Sequence, residues 1–159
     1  MERLNLKTNS RVDLIDITDK VQAVVTKSKL KDGVCFVFCP HTTAGLTINE
    51  NADPSVRRDI INTLNKIIPA GAGYAHSEGN ADSHIKSSLF GSALTIFVAG
   101  GQLALGTWQG IYFCEGDGPR NREVWINIMQ GTVPKKELIN AGVAGSRNRQ
   151  ARTRKSGLR

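Results

Sequence analysis

Apolar and polar residues alternate along RLNLKTN (3–9) and again along RVDLIDI (11–17), the period of two that a strand shows when one face of its sheet is wet. A helical period follows. Val21, Val24, Val25 and Ser28 fall on one face of a helix that Thr18 or Asp19 can cap and Lys31-Asp32-Gly33 closes. VCFVFC (34–39) is continuously apolar, which predicts a strand central in its sheet, and AGLTI (44–48) predicts another, shorter one. Asp53 then caps a helix with Pro54 at its first position, where a missing N–H costs nothing. Val56, Ile60, Ile61, Leu64 and Ile67 form its apolar stripe, which ends before Pro69. After the loop AGAGYAHSEG, Asn80 can cap a short helix through Leu89, with Gly91 as its stop. The remainder reads as strand: ALTIFVA (93–99), GTWQGIYFC (106–114) and REVWINIMQ (122–130).

Composition bounds this outline. A chain of 159 residues with 40% apolar content and 16 glycines suits one globular domain; disorder throughout is excluded, and so are two ordinary domains. The charge of +7 is unevenly placed, since residues 1–134 carry 13 Lys+Arg and 13 Asp+Glu while residues 135–159 carry eight bases and one acid. The expected organisation is a folded domain over 1–134 and a flexible basic extension over 135–159. That extension is either an arm for weak contact with nucleic acid or another anionic surface, or a solubilising tail. Ser87 to Cys114 carries no charge at all. Its recurring glycines, with Gln102 and Gln109, fit two buried strands joined at Gly100-Gly101 rather than a membrane span. Cys35, Cys39 and Cys114 are an odd set without framework spacing, and the chain opens without a basic-then-apolar leader, so buried thiols in a reducing cytoplasm are expected.

Chemistry concentrates in a few places. His41, His76 and His84, the three histidines of the chain, each fall at the end of a predicted element. They read either as unrelated surface or hydrogen-bonded imidazoles, or as ligands of a divalent ion, zinc above all, with a fourth position open for water or substrate. EGDGPRNR (115–122) sets Asp117 between glycines and follows it with Arg120 and Arg122. Arginine forks match phosphate or carboxylate oxygens, and the bland alternative is a loop of solvated charges. Glu115 ends an apolar strand, where an acid is unexpected. Glu50, beside Asn51 and the cap Asp53, reads as a base, a partner for a histidine, or an exposed carboxylate. Trp108 is either core packing or an aromatic wall for a flat heterocycle.

Taken together, HTTAGLTINENADPSVRRD, the GYAH segment, SHIKSSLFG and GTWQGIYFCEGDGPRNR resemble, in order and spacing, the family of small bacterial and archaeal proteins typified by YjbQ, over about residues 1–132. The resemblance implies an α+β fold in which two sheets pack as a sandwich with helices outside, assembled as a homotrimer. It also implies that His41, His76 and His84 belong to one polar pocket with Glu115, Arg120 and Arg122. Some members are described as secondary thiamine-phosphate synthases, so the implied activity joins a pyrimidine methyl diphosphate to a thiazole phosphate and releases pyrophosphate. On that reading a divalent metal, zinc or else magnesium brought with a diphosphate, would join Arg120 and Arg122 in neutralising the leaving group. Glu115 or Glu50 would orient a histidine or take a proton, and Trp108 and Asp117 would line the substrate. A metal-dependent hydrolase of a phosphorylated small molecule and a non-catalytic trimeric metal- or ligand-binding protein are the alternatives. The family pattern does not account for residues 135–159.

Overall fold

The computed structural model describes residues 1–131. The expected domain end at Pro134 and the basic extension 135–159 lie outside the described residues. The chain runs through β1 (Glu2–Lys7), β2 (Asp13–Asp16), α1 (Thr18–Ser28), β3 (Gly33–Phe38), β4 (Ala44–Glu50), α2 (Pro54–Ile67), α3 (Ala81–Phe90), β5 (Ala93–Ala99), β6 (Gln102–Leu103), β7 (Gln109–Glu115) and β8 (Asn121–Gln130). The strands form two antiparallel sheets, in the orders β1-β8-β3-β5-β6 and β2-β7-β4. Period-two burial explains how they pack. Leu6, Cys35, Val37, Ile96, Val98, Val124 and Ile126 of the larger sheet meet Leu46, Ile111 and Phe113 of the smaller one, and α1 closes this core with Val21 and Val25. On the outer side of the three-stranded sheet, Leu14, Tyr112 and Cys114 receive Ile60 and Ile61 of α2 and Phe90 of α3. The layers are therefore five strands, three strands, then two helices. No helix among the described residues is long and apolar enough to cross a membrane.

Several local expectations hold. Cys35, Cys39 and Cys114 are buried free thiols, and burial pushes the Cys35 thiol up to about 11. Asp53 caps α2, accepting the Ser55 N–H at 2.8 Å, with Pro54 next in the chain. Other expectations give way. Neither Thr18 nor Asp19 caps α1: Ile17 occupies the cap position, and Asp16 accepts both the Thr18 N–H at 2.8 Å and its hydroxyl at 2.6 Å. The Thr18 oxygen in turn accepts the Ile111 N–H at 2.8 Å, which ties the helix to the smaller sheet. Asn80 precedes α3 without capping it through its side chain, which is drawn to Asp117 instead. β3 is central in its sheet yet, among the described residues, covered on one side only, since Phe36 and Phe38 are each 39% exposed. The uncharged run does not make two long paired strands either. Gly100 and Gly101, with φ of 60° and 81°, turn β5 into the two-residue β6, after which the chain crosses to the other sheet as β7.

Candidate functional site

One end of the sandwich gathers the segment after β1, the HTT residues before β4, the start of α3, and the end of β7, the 116–120 loop and the start of β8. Its base is an ion pair that joins the two sheets. Arg122 of β8 donates from Nε to Glu115 Oε2 at 2.8 Å and from Nη2 to Oε1 at 2.6 Å, and Nη2 also reaches Thr43 Oγ1 at 2.9 Å. The Thr8 hydroxyl donates to Glu115 Oε2 at 2.9 Å, and the N–H groups of Gly116 and Asp117 donate to Oε1 at 3.0 and 2.9 Å. Burial alone would raise the Glu115 carboxyl. The Arg122 hydrogen bond, the Asp117 N–H, the Arg122 charge and the Thr8 hydroxyl outweigh it and hold the carboxyl below its ordinary range. Two glycines permit this close packing. A Cβ on Gly116 would stand 2.8 Å from the Thr43 carbonyl oxygen, and one on Gly118 would run into the Ser10 carbonyl oxygen. The Gly118–Pro119 peptide is cis.

Above this base lies Asp117. Arg120 Nη2 donates to its Oδ2 at 2.7 Å, Asn80 Nδ2 donates to the same oxygen at 3.1 Å, and Arg11 Nη1 reaches Oδ1 at 3.5 Å. Burial would raise Asp117, and the Asn80 and Arg120 hydrogen bonds and the charges of Arg120 and Arg11 lower it below its ordinary range. Arg120 also donates from Nε to the Asp117 carbonyl oxygen at 2.8 Å, so one edge of its guanidinium is fixed. Its side chain is 52% exposed, and Nη1 makes no hydrogen bond among the described residues. Asn80 Oδ1 is buried without a hydrogen-bond partner among the described residues. Arg120 is thus oriented with a free edge, while Arg122 is consumed by Glu115 and Thr43.

The histidines divide two and one. The Ser83 hydroxyl donates to the Gly116 carbonyl, which fixes the first turn of α3 against the loop. His84, in that turn, meets His76 edge-on with ring centroids 5.2 Å apart. His76 Nε2 stands 3.7 Å from Glu78, whose charge also reaches Arg120. His41 is engaged elsewhere: its Nε2 accepts the Glu123 N–H at 3.0 Å, and its ring stands edge-on to Phe113. Burial, followed by the Arg122 charge, lowers its pKa. Among the described residues no three His, Cys, Asp or Glu side chains converge on a point that could hold a metal ion. His41 Nε2 is committed to the Glu123 backbone, and the three histidines do not share one point among the described residues.

Glu50 and Trp108 are not brought to this end. In the β4–β7 register Ala44 pairs with Glu115 while Glu50 pairs with Gln109. Six residues of strand place Glu50 about 20 Å away. There the Tyr112 hydroxyl donates to the Glu50 carbonyl oxygen and to Asn51 Oδ1, and the Asn51 N–H donates to the Trp108 carbonyl oxygen. Trp108 is 55% exposed, so it is not core packing. The residues that sequence reasoning missed are Thr8, Arg11, Thr43, Asn80, Asp82 and Lys86. Only Thr43 and the i, i+4 pair of Asp82 and Lys86 lie in segments that a motif search would reach.

Comparison with known proteins follows the same bounds. Residues 2–131 match the family described as UPF0047 protein YjbQ-like. A UPF0047 protein of Methanocaldococcus jannaschii is 53% identical over 127 residues, covering 80% of this chain and 92% of that one. The UPF0047 protein YugU of Bacillus subtilis is 45% identical over 130 residues, covering 81% and 98%. Among solved structures, a conserved protein of the same family from Clostridium acetobutylicum superimposes with a TM-score of 0.79 at 53% identity, over 81% of this chain and 100% of that one. A YbjQ-like protein from Sulfolobus solfataricus gives 0.78 at 31% identity, over 82% and 96%.

Proposed function

The chain belongs to the UPF0047 family of YjbQ-like proteins, and from that premise we propose that it is a transferase acting on phosphorylated small molecules in the manner of a secondary thiamine-phosphate synthase. The observation that carries this reading is Arg120, which is held by Asp117 along one edge and open along the other, on the loop against which Ser83 fixes the first turn of α3, where His84 meets His76. Guanidinium and imidazole N–H groups so placed bind a diphosphate and stabilise the charge that collects on it as it leaves. In the reaction, a bond forms from the pyrimidine methylene carbon to the thiazole nitrogen while the carbon–oxygen bond to the diphosphate breaks, and the electron pair departs with pyrophosphate. Little covalent help is needed, so positioning and charge are what the protein supplies. Glu115 and Arg122 act as positioning residues, since their mutual bonds fix the loop that carries Asp117 and Arg120. Asn80 Oδ1, buried and unpartnered, offers an acceptor to a ligand N–H.

The test is turnover of the two precursors by the pure protein, compared with Arg120→Ala and His84→Ala. The wild type should release pyrophosphate, and each variant should lose about 100-fold or more in kcat, the scale of a removed oxyanion donor. A wild type without turnover overturns the reading, and variants equal to the wild type overturn the site. We further propose that copies of the chain assemble through the outer face of the five-stranded sheet, where Phe36, Phe38, Phe97 and Met129 are exposed. Homotrimeric assembly is the form this takes.

A further inference from the structure

Polar contacts continue past Asp117, away from Arg120. Arg11 reaches from Asp117 to Asp82, donating from Nη2 to Oδ1 at 2.8 Å, and Lys86 donates from Nζ to Asp82 Oδ2 at 3.0 Å and to Asn65 Oδ1 at 2.9 Å. These groups line a cleft of about 350 Å³ between the segment after β1, the end of α2 and the side of α3, a volume within the range of small-ligand sites. Lys86 and Asp82 are 3% and 1% exposed in their side chains. Two features point to an occupant. First, Arg11 and Lys86 share Asp82 as their near carboxylate, since Asp117 is held more closely by Arg120, at 2.7 Å against 3.5 Å for Arg11. Lys86 is paired with Asp82 at 3.0 Å, so the half-exposed Arg11 is the cation left with charge to offer an anion. Second, the cleft has donors to spare: the third N–H of Lys86, Arg11 Nε and the Asn65 amide NH2 make no hydrogen bond among the described residues.

We propose that this cleft is a second oxyanion seat, which binds the phosphate monoester of a small phosphorylated molecule. The choice of a phosphate monoester rests on the transferase reading, in which two phosphorylated molecules are held at once; the seat itself rests on the cleft and its donors. Inorganic phosphate is the probe. Thermal unfolding of the full chain is followed at rising phosphate and constant ionic strength, with chloride as the control, because a ligand that binds the folded state raises Tm with its own saturation curve. Wild type and Arg120→Ala should both show a saturable rise in Tm. Arg11→Gln and Lys86→Met, each tested in the Arg120→Ala background, should weaken phosphate by tenfold or more. Should Lys86→Met fail to fold, Arg11→Gln decides alone, since its side chain is 44% exposed and its loss leaves the Lys86–Asp82 pair intact. No saturable rise in the wild type, or phosphate affinity unchanged in the Arg11→Gln double variant, overturns the seat. Precursor turnover, measured in parallel, separates the two claims. Phosphate bound through Arg11 and Lys86 without turnover sinks the transferase and supports the seat, and turnover with phosphate binding indifferent to Arg11 does the reverse.

Discussion

Arg120 and Arg122 sit two residues apart in one motif and have opposite duties. Arg122 is 7% exposed and bonded to a fully buried Glu115, so removing it strands a carboxylate inside the protein. Arg122→Ala should therefore lower stability by about 3–5 kcal/mol in denaturant unfolding. Arg120→Ala, on a half-exposed side chain, should unfold in denaturant close to the wild type while losing about 100-fold or more in turnover; a variant that unfolds instead would show that Arg120 holds the loop. The same site predicts two windows of acid sensitivity. His41 has a depressed pKa in the fold, and its Nε2 must stay unprotonated to accept the Glu123 N–H. The unfolded chain therefore binds the proton more readily, and stability present above the ordinary histidine value of about 6.5 is lost as pH falls below it. A His41→Gln variant should flatten that part of the stability profile. Glu115 is depressed as well, so its contribution is present above the ordinary glutamate value of about 4.3 and is lost only as pH falls below it. A wild-type stability that is level from pH 7 to 5 would contradict the role given to His41.

At the scale of elements, the strength of each depends on what it covers. α2 has the clearest start signal in the chain, yet none of its residues is fully buried and Ile67 is 65% exposed. Its cap therefore carries an unusual share of its stability: Asp53→Ala should cost about 1 kcal/mol and speed amide exchange in α2 well before exchange in β7. Equal exchange in the two elements would refute this. Gly118→Ala should be far worse than a cap loss, because the added Cβ meets the Ser10 backbone. The contrast also shows which signals were legible. Strand periods, the Asp53-Pro54 start and the Gly100-Gly101 turn depend on residues adjacent in sequence, and the structure keeps them. The sheet that each strand joins depends on long-range pairing, which a period of two does not encode. The Asp16 side chain shows the same limit, since it accepts the Thr18 hydroxyl whose oxygen in turn accepts the Ile111 N–H across 93 residues. In the site, EGDGPRNR was legible as a polar cluster. That Arg122 faces inward and Arg120 outward was not, because strand β8 begins at Asn121 and sets the direction of the residues that follow. Glu50 looked close to His41 along the chain, and a straight strand carried it to the far end.

For the whole molecule, the decisive fact is that the five-stranded sheet is covered on one side only among the described residues. Register places Phe97, Val34 and Met129 in one row across β5, β3 and β8, with Phe38 opposite Trp125 nearby. The rings of Phe38 and Trp125 are 5.5 Å apart. Phe97 and Met129 are 53% and 54% exposed. Isolated apolar residues on a surface need no partner, but a contiguous row over three strands at the centre of a sheet is the pattern of a contact face. Arg3, stacked 5.6 Å over the Trp125 ring and 3.8 Å from Glu123, supplies a charged rim at one side. A second copy is the proposed occupant of this face; the face does not set the number of copies, and three is what the family resemblance implies. On that proposal sedimentation equilibrium should give a trimer. Phe97→Lys with Met129→Lys places two like charges in the row and should shift the mass to that of one chain, with the far-ultraviolet circular dichroism unchanged because neither side chain enters the core. A wild type that sediments as a monomer at micromolar concentration would refute the assembly, and a double variant that stays trimeric would place the contact on another face.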